Sequence, residues 1–174
     1  MASKVTMLHS AEEISGRVEE LAQTIAETLP DDFVIVGLLK GSFVFVADLA
    51  RALSQAGVHA EIEFMRLSSY GLAKVSVGEV HLIGDVPTNI AGRTLLLVDD
   101  ILDTGRSLAY ARALLEQREA ARIWTCVLVD KPSRREVEVA VEFVGFTLPD
   151  VFIAGYGIDY AEKYRCLPFI GKVD

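Results

Sequence analysis

Cysteine is scarce in this chain of 174 residues: Cys126 and Cys166 are all it has. Two thiols so placed give neither a disulfide framework nor a zinc spacing, and their plain reading is free thiols in a reducing cytoplasm. Histidine is nearly as scarce, and His9, His59 and His81 sit in no acid–base or metal spacing. No stretch approaches the roughly 18 consecutive apolar residues of a membrane span. The first residues, with Lys4, His9 and Glu12, lack the apolar run of a secretory signal. Positive charge is the last shortfall. Against 25 Asp and Glu stand 17 Lys and Arg, a formal net charge of −8, which argues against general binding to nucleic acid or anionic membranes. The same surplus would repel a polyanionic substrate unless local cations offset it. Magnesium, held by one or two carboxylates plus substrate phosphates, is the usual remedy.

What is present suits a globular protein with a real core. Hydrophobic residues make up 51% and charged residues 24% of the chain, and the length predicts one domain. Ser10-Ala11-Glu12-Glu13 has the form of a capping box. Ile14, Val18, Leu21, Ile25 and Leu29 then recur at helical steps until Pro30-Asp31-Asp32. Phe33 to Leu38 reads as a buried strand and Lys40-Gly41 as a turn, with Phe43, Val46, Ala50 and Leu53 as the face of a second helix. Val58 to Leu67 reads as a strand, and residues 68–78 have the small, polar composition of a mobile loop. Short strands are predicted at Val80–Ile83 and Thr94–Val98, a helix over about Arg106–Arg118, and a strand over Ala121–Val129. Phe143, Phe146, Val151, Phe152 and Ile153 suggest further short strands. Alternating β and α elements with short connections predict an α/β protein with a parallel sheet flanked by helices.

The most informative stretch is Leu95-Leu96-Leu97-Val98-Asp99-Asp100-Ile101-Leu102-Asp103-Thr104-Gly105-Arg106-Ser107-Leu108. A continuous aliphatic run is what a buried parallel strand looks like. Here it delivers acids, a glycine and hydroxyls to its carboxyl end, where open α/β sheets bind ligands. One aspartate after a strand ordinarily caps the next helix. Two adjacent acids with a third three residues on need more, because packed like charges are costly without a cation or hydroxyl partners. Amide N–H groups opening the next helix can hold a phosphate. Together these features point to a phosphosugar, its hydroxyls on the acids and its phosphate on the turn.

That segment resembles the phosphoribosyl-diphosphate-binding motif of type I phosphoribosyltransferases, and the chain around it resembles the hypoxanthine-guanine phosphoribosyltransferases. The likeness runs from Gly37-Leu38-Leu39-Lys40-Gly41-Ser42 through Ser68-Ser69-Tyr70-Gly71, Asp130-Lys131-Pro132 and Pro149-Asp150-Val151-Phe152 to Gly157-Ile158-Asp159-Tyr160 and Tyr164-Arg165. It implies the type I fold as a single domain over residues 1–174: a twisted, mainly parallel sheet with a core of about 33–150. A small hood from both terminal segments and a flexible loop over the site complete it. It also implies dimers or tetramers.

The activity implied is transfer of a 5-phosphoribosyl group from phosphoribosyl diphosphate to N9 of a 6-oxopurine, hypoxanthine or guanine, with Mg2+. By resemblance, Asp99 and Asp100 address the ribose hydroxyls and magnesium. Asp103 is the general base near purine N7, and Thr104, Gly105, Arg106 and Ser107 hold the 5-phosphate. Lys40 and Gly41, at a non-proline cis peptide after Leu39, hold the diphosphate with Arg165. Lys131 donates to O6, Phe152 stacks on the base, and backbone around Ile153 reads its edge. Asp159 serves a second magnesium and the purine 2-position, and Ser69 and Tyr70 close over the site. The chain departs from the family at Asp99, where Glu is frequent; the shorter carboxylate would reach its hydroxyl through water.

A lysine can donate to a carbonyl but finds no equivalent acceptor in the 6-amino group of adenine, so Lys131 gives discrimination a physical cause. Transfer to a pyrimidine is a rival within the fold. A nucleic-acid-binding regulator that keeps the site as a sensor is a rival outside it, opposed by the acidic balance. A P-loop hydrolase is poorer still, because no Gly-x-x-x-x-Gly-Lys-Ser/Thr occurs.

Overall fold

The structure, a computed structural model, describes residues 4–68 and 79–174, so the expectation at Ser69 and Tyr70 lies outside the described residues. Its elements are β1 (Val5–His9), α1 (Ala11–Thr28), β2 (Phe33–Leu39), α2 (Phe43–Gln55), β3 (Glu61–Ser68), β4 (His81–Ile83), β5 (Thr94–Leu102), α3 (Arg106–Gln117), β6 (Arg122–Asp130), β7 (Phe143–Thr147), β8 (Ile153–Ala154) and β9 (Ile170–Val173). Six strands form one sheet in the order β4-β3-β2-β5-β6-β7. All its pairs are parallel except β3 with the short edge strand β4. The α/β architecture follows from burial on both faces. Leu95 and Leu97 pack with Leu108, Ala111 and Leu115 of α3. Leu96 and Val98 belong to the opposite core with Ile14, Phe45 and Leu49 of α1 and α2. Burying each such side chain is worth about 1.5–3 kcal/mol, so an unbroken aliphatic run suits only this central position.

Sheet order places the ligand crevice. From β2 the chain crosses by α2 to β3 on one side; from β5 it crosses by α3 to β6 on the other. The two strands lie side by side, with Gly37 paired to Val98. Their carboxyl ends therefore form the switch point at which open α/β sheets bind ligands. The loops that meet there are residues 40–42 and 103–105.

Several boundaries differ from the sequence expectations. The strand expected to stop at Val98 continues to Leu102, because Asp99, Ile101 and Leu102 still pair with Val127, Val129 and Asp130. Charge at Asp99 and Asp100 marks a change of surroundings, not the end of the ladder. In α2 the buried stripe is Phe45, Val46, Leu49 and Leu53. Phe43 opens the helix exposed, so the stripe is rotated from the expected one. Val151 and Phe152 precede β8 and lie outside any strand. The capping box is present, Ser10 Oγ accepting from Glu13 N and Glu13 Oε2 from Ser10 N.

A second, three-stranded sheet joins the two ends of the chain in the order β1-β9-β8. Its pairs are antiparallel, Val5 with Val173 and Ile153 with Lys172. Among the described residues no helix is long and apolar enough to cross a membrane.

Candidate active site

The β5 tip brings the three aspartates to one cavity of about 180 Å3, also lined by Thr104, Gly105 and Ser107. Asp99 is buried and Asp100 partly so. Asp99 Oδ1 accepts from Asp100 N at 2.9 Å, and Asp100 Oδ1 accepts from Ile101 N at 2.8 Å. Burial pushes Asp99 well above the usual carboxylate range, and the charge of Asp100 and a hydrogen bond to it push further. Burial raises Asp100 too, against its hydrogen bond to Asp99 and the Ile101 amide. Two acids this close disfavour carrying both negative charges, a cost that a bound cation would relieve.

The turn after β5 is tightly built. Gly105 sits at φ 88°, and a Cβ there would meet Val137 O at 2.3 Å, so only glycine fits. Thr104 O accepts from Glu136 N at 2.9 Å and Val137 N at 3.0 Å, while Thr104 Oγ1 accepts from Arg106 N at 3.3 Å. Arg106 pairs with Glu136. α3 starts at this turn, so its first N–H groups and the Thr104 and Ser107 hydroxyls face the same end of the sheet.

A second cavity of about 450 Å3 adjoins the first and shares Leu39, Leu67 and Asp100 with it. It is lined by Lys40, Gly41, Arg66, Asp159, Glu162 and Arg165 among others. A cis peptide joins Leu39 to Lys40. A Cβ on Gly41 would lie 1.8 Å from Asp100 Oδ2, which makes this glycine the contact between the two cavities. Arg165 Nη1 donates to Gly157 O at 2.6 Å, and its Nη2 lies 2.9 Å from Asp159 Oδ1. The carboxy-terminal segment packs closely on the loop after β2, since a Cβ on Gly157 would meet Gly41 O at 2.5 Å.

Lys131 is buried, and its Nζ donates to Val151 O at 2.7 Å. Burial pulls its ammonium below the usual lysine range, against the pull of Asp103 and Asp150. Phe152 follows Val151 and is 69% exposed, its ring T-shaped to that of Tyr160 with centroids 5.8 Å apart. An aromatic so uncovered is not a core residue. Ile153 is buried in β8 with its backbone paired to Lys172.

Three residues of this neighbourhood were not singled out from the sequence. Arg134 Nε donates to Asp103 Oδ1 at 2.8 Å, and its Nη1 lies 3.5 Å from Asp150 Oδ1. Arg135 donates to Asp103 O at 3.2 Å and pairs with Asp130. Glu162 pairs with Lys40 at 3.0 Å. The signal for the arginines was their position, just after Lys131-Pro132-Ser133; for Glu162 it was three-residue spacing from both Asp159 and Arg165. Among the described residues no three acidic, histidine or cysteine side chains converge as a metal cage.

Residues 4–161 match the family model described as a phosphoribosyl transferase domain. The chain is 46% identical to a hypoxanthine phosphoribosyltransferase of Escherichia coli, covering 99% of this chain and 97% of the relative. It is 43% identical to a hypoxanthine-guanine phosphoribosyltransferase of Bacillus subtilis, over 95% and 91% of the two chains. A crystal structure of a hypoxanthine-guanine phosphoribosyltransferase from Bacillus anthracis superposes with a TM-score of 0.88 at 39% identity, covering 99% of this chain and 100% of the other.

Proposed function

The chain belongs to the phosphoribosyltransferase family, and from that premise we propose that it is a purine-salvage enzyme. It transfers the 5-phosphoribosyl group from 5-phosphoribosyl 1-diphosphate to N9 of hypoxanthine or guanine, giving IMP or GMP and diphosphate. One observation carries the assignment of parts. At the switch point between β2 and β5, two cavities share Asp100, one walled by acids and hydroxyls, the other by Lys40 and Arg165. A phosphosugar fits the first and its leaving diphosphate the second.

Asp99 and Asp100 take the ribose hydroxyls, and Thr104, Gly105, Arg106 and Ser107 take the 5-phosphate on hydroxyls and helix-opening amides. Lys40, Gly41 and Arg165 hold the diphosphate, whose charge grows as the glycosidic bond breaks. Asp103 accepts the proton at purine N7, with Arg134 fixing its carboxylate. Lys131 gives up Val151 O to donate to O6, Phe152 stacks on the base, and the backbone at Ile153 and the carboxylate of Asp159 border the 2-position.

Magnesium suits Asp99 and Asp100, and a second magnesium would meet Asp159 through water. The first two are carboxylates driven toward protonation by burial, a condition that a hard cation relieves, and Mg2+ completes its shell with substrate oxygens and water. When bound it supplies positive charge opposite the leaving diphosphate. The terminal sheet serves as the hood of a single domain. Self-association into dimers or tetramers is supported by the exposed Ile62 and Phe64 on β3, and a cytoplasmic setting by two free cysteines.

The test is diphosphate release from phosphoribosyl diphosphate with hypoxanthine, guanine, adenine and orotate in turn, with and without magnesium. Release with the 6-oxopurines, lost with EDTA, is expected. Release with adenine or orotate at comparable rates overturns the base assignment, and none with any base overturns the activity.

A further inference from the structure

The two cations assigned to the diphosphate are already held by carboxylates, and one carboxylate reaches both. Lys40 Nζ donates to Glu162 Oε1 at 3.2 Å and to Oε2 at 3.0 Å, and Oε2 lies 3.7 Å from Arg165 Nη2. The turn that carries Glu162 is fastened in place: its N–H donates to Asp159 Oδ2 at 2.7 Å, and the residue sits at φ 61°. Its side chain lines the same cavity as Lys40, Gly41 and Arg165. A carboxylate offers acceptor-only oxygens, as a phosphate does, but carries less charge. Glu162 is also 66% exposed, so water screens the contact and an anion of higher charge can displace it.

We propose that Glu162 is a built-in competitor for the diphosphate subsite, its carboxylate taking the Lys40 and Arg165 donors whenever diphosphate is away. This rests on the diphosphate reading of that cavity and adds to it a residue that sets affinity there. As product diphosphate departs, each cation it leaves is met by a carboxylate, so release does not strand two positive charges in one pocket. Affinity for diphosphate is then the difference between two occupied states, and it is weaker than Lys40 and Arg165 alone would give.

The test uses inorganic diphosphate with magnesium as the probe, on the full chain. Its dissociation constant is measured by calorimetry, and its inhibition constant against phosphoribosyl diphosphate, for wild type and Glu162→Gln. Glutamine keeps the size and loses the charge. Glu162→Gln is expected to bind diphosphate about 1.5- to fivefold tighter at low salt, the range an exposed ion pair of about 0.2–1 kcal/mol spans. The gain should shrink at high salt and in a Lys40→Ala background, while KM for hypoxanthine stays put. Unchanged or weaker diphosphate binding in Glu162→Gln overturns the proposal. Lys40→Ala and Arg165→Ala separate the two readings. If both weaken diphosphate tenfold or more while Glu162→Gln fails to tighten it, only the competitor role falls. If neither weakens it, the diphosphate assignment itself falls.

Discussion

Replacing Gly41 with alanine should damage catalysis far more than a single methyl normally does. The added Cβ would lie 1.8 Å from Asp100 Oδ2 and 2.5 Å from its Cγ. Ordinary contact begins near 3.4 Å, so the carboxylate or the loop must move by about 1.6 Å. Asp100 cannot swing freely, because its other oxygen accepts from Ile101 N at 2.8 Å and its neighbours Asp99 and Ile101 are paired to Val127 and Val129 of β6. A misplacement of about 1 Å at a reacting centre costs on the order of 100-fold, which corresponds to about 2.7 kcal/mol at 1.36 kcal/mol per tenfold. Gly41→Ala should therefore lower kcat/KM for phosphoribosyl diphosphate about 100-fold while thermal melting stays near wild type. The clash is with one side chain, so a double-mutant cycle isolates it. In an Asp100→Ala background the carboxylate is gone and Gly41→Ala should cost only a few-fold more. A Gly41→Ala enzyme within threefold of wild type would refute the reasoning, and so would a full 100-fold loss in the Asp100→Ala background.

Lys131→Ala should lower kcat/KM for hypoxanthine and guanine by about 10- to 150-fold, the worth of a charge-assisted hydrogen bond of roughly 1.5–3 kcal/mol. Activity with adenine, measured alongside, should not fall in step; an equal loss for all bases would deny Lys131 its part in choosing them. Asp99→Asn should raise the melting temperature of the metal-free protein at pH 8 by about 2–4 °C per kcal/mol relieved, within the roughly 0.5–2 kcal/mol typical of such stabilising changes. The sign follows from the raised folded-state pKa of Asp99. Below the ordinary value of 3.8 both states hold the proton and there is no penalty; as pH rises to the raised value the unfolded chain loses its proton first, so stability falls and then levels off. The advantage of Asp99→Asn should accordingly vanish near pH 4, and a gap independent of pH would contradict it. Gly16→Ala, on the exposed side of α1 with nothing within 4 Å of the added Cβ, should stabilise by about 0.5–1 kcal/mol without touching kinetics, as a melting curve would register.

The central strands were legible because burial on both faces leaves a mark that few other settings leave. Phe33–Leu38, Leu95–Val98 and the apolar part of Arg122–Asp130 read as aliphatic runs, and all three lie at the middle of the sheet. The terminal sheet left no such mark. Val5–His9 buries little, with Met7 55% and Leu8 37% exposed, and its partner Ile170–Val173 is four residues long and lies at the other end of the chain. A strand defined by backbone pairing to a distant segment, with neither face fully covered, has no period for a single sequence to display. The early stop assigned to β5 has the opposite cause. Polarity at Asp99 was read as the edge of a strand, whereas the ladder to β6 does not depend on which side chain it carries.

Contiguity decided what could be read of the site. Asp99 to Ser107 is one uninterrupted stretch, and its parts line one cavity. The residues missed act across the fold: Arg134 meets Asp103 over 31 positions of sequence, and Glu162 meets Lys40 over 122. They also bear on the acidic balance. An excess of acid suggested that an anionic substrate would need local cations to offset a hostile field. The cations are there, but four of them already have a carboxylate: Lys40 has Glu162, Arg165 has Asp159, Arg134 has Asp103, and Arg106 has Glu136. On the proposed reading, a substrate phosphate that reaches Lys40, Arg165 or Arg106 exchanges places with a carboxylate side chain. The net −8 is therefore no obstacle to binding a polyanion. It supplies resident anions that neutralise and place these cationic groups, and on this reading affinity depends on how much better a phosphate fits each cation than the carboxylate it displaces.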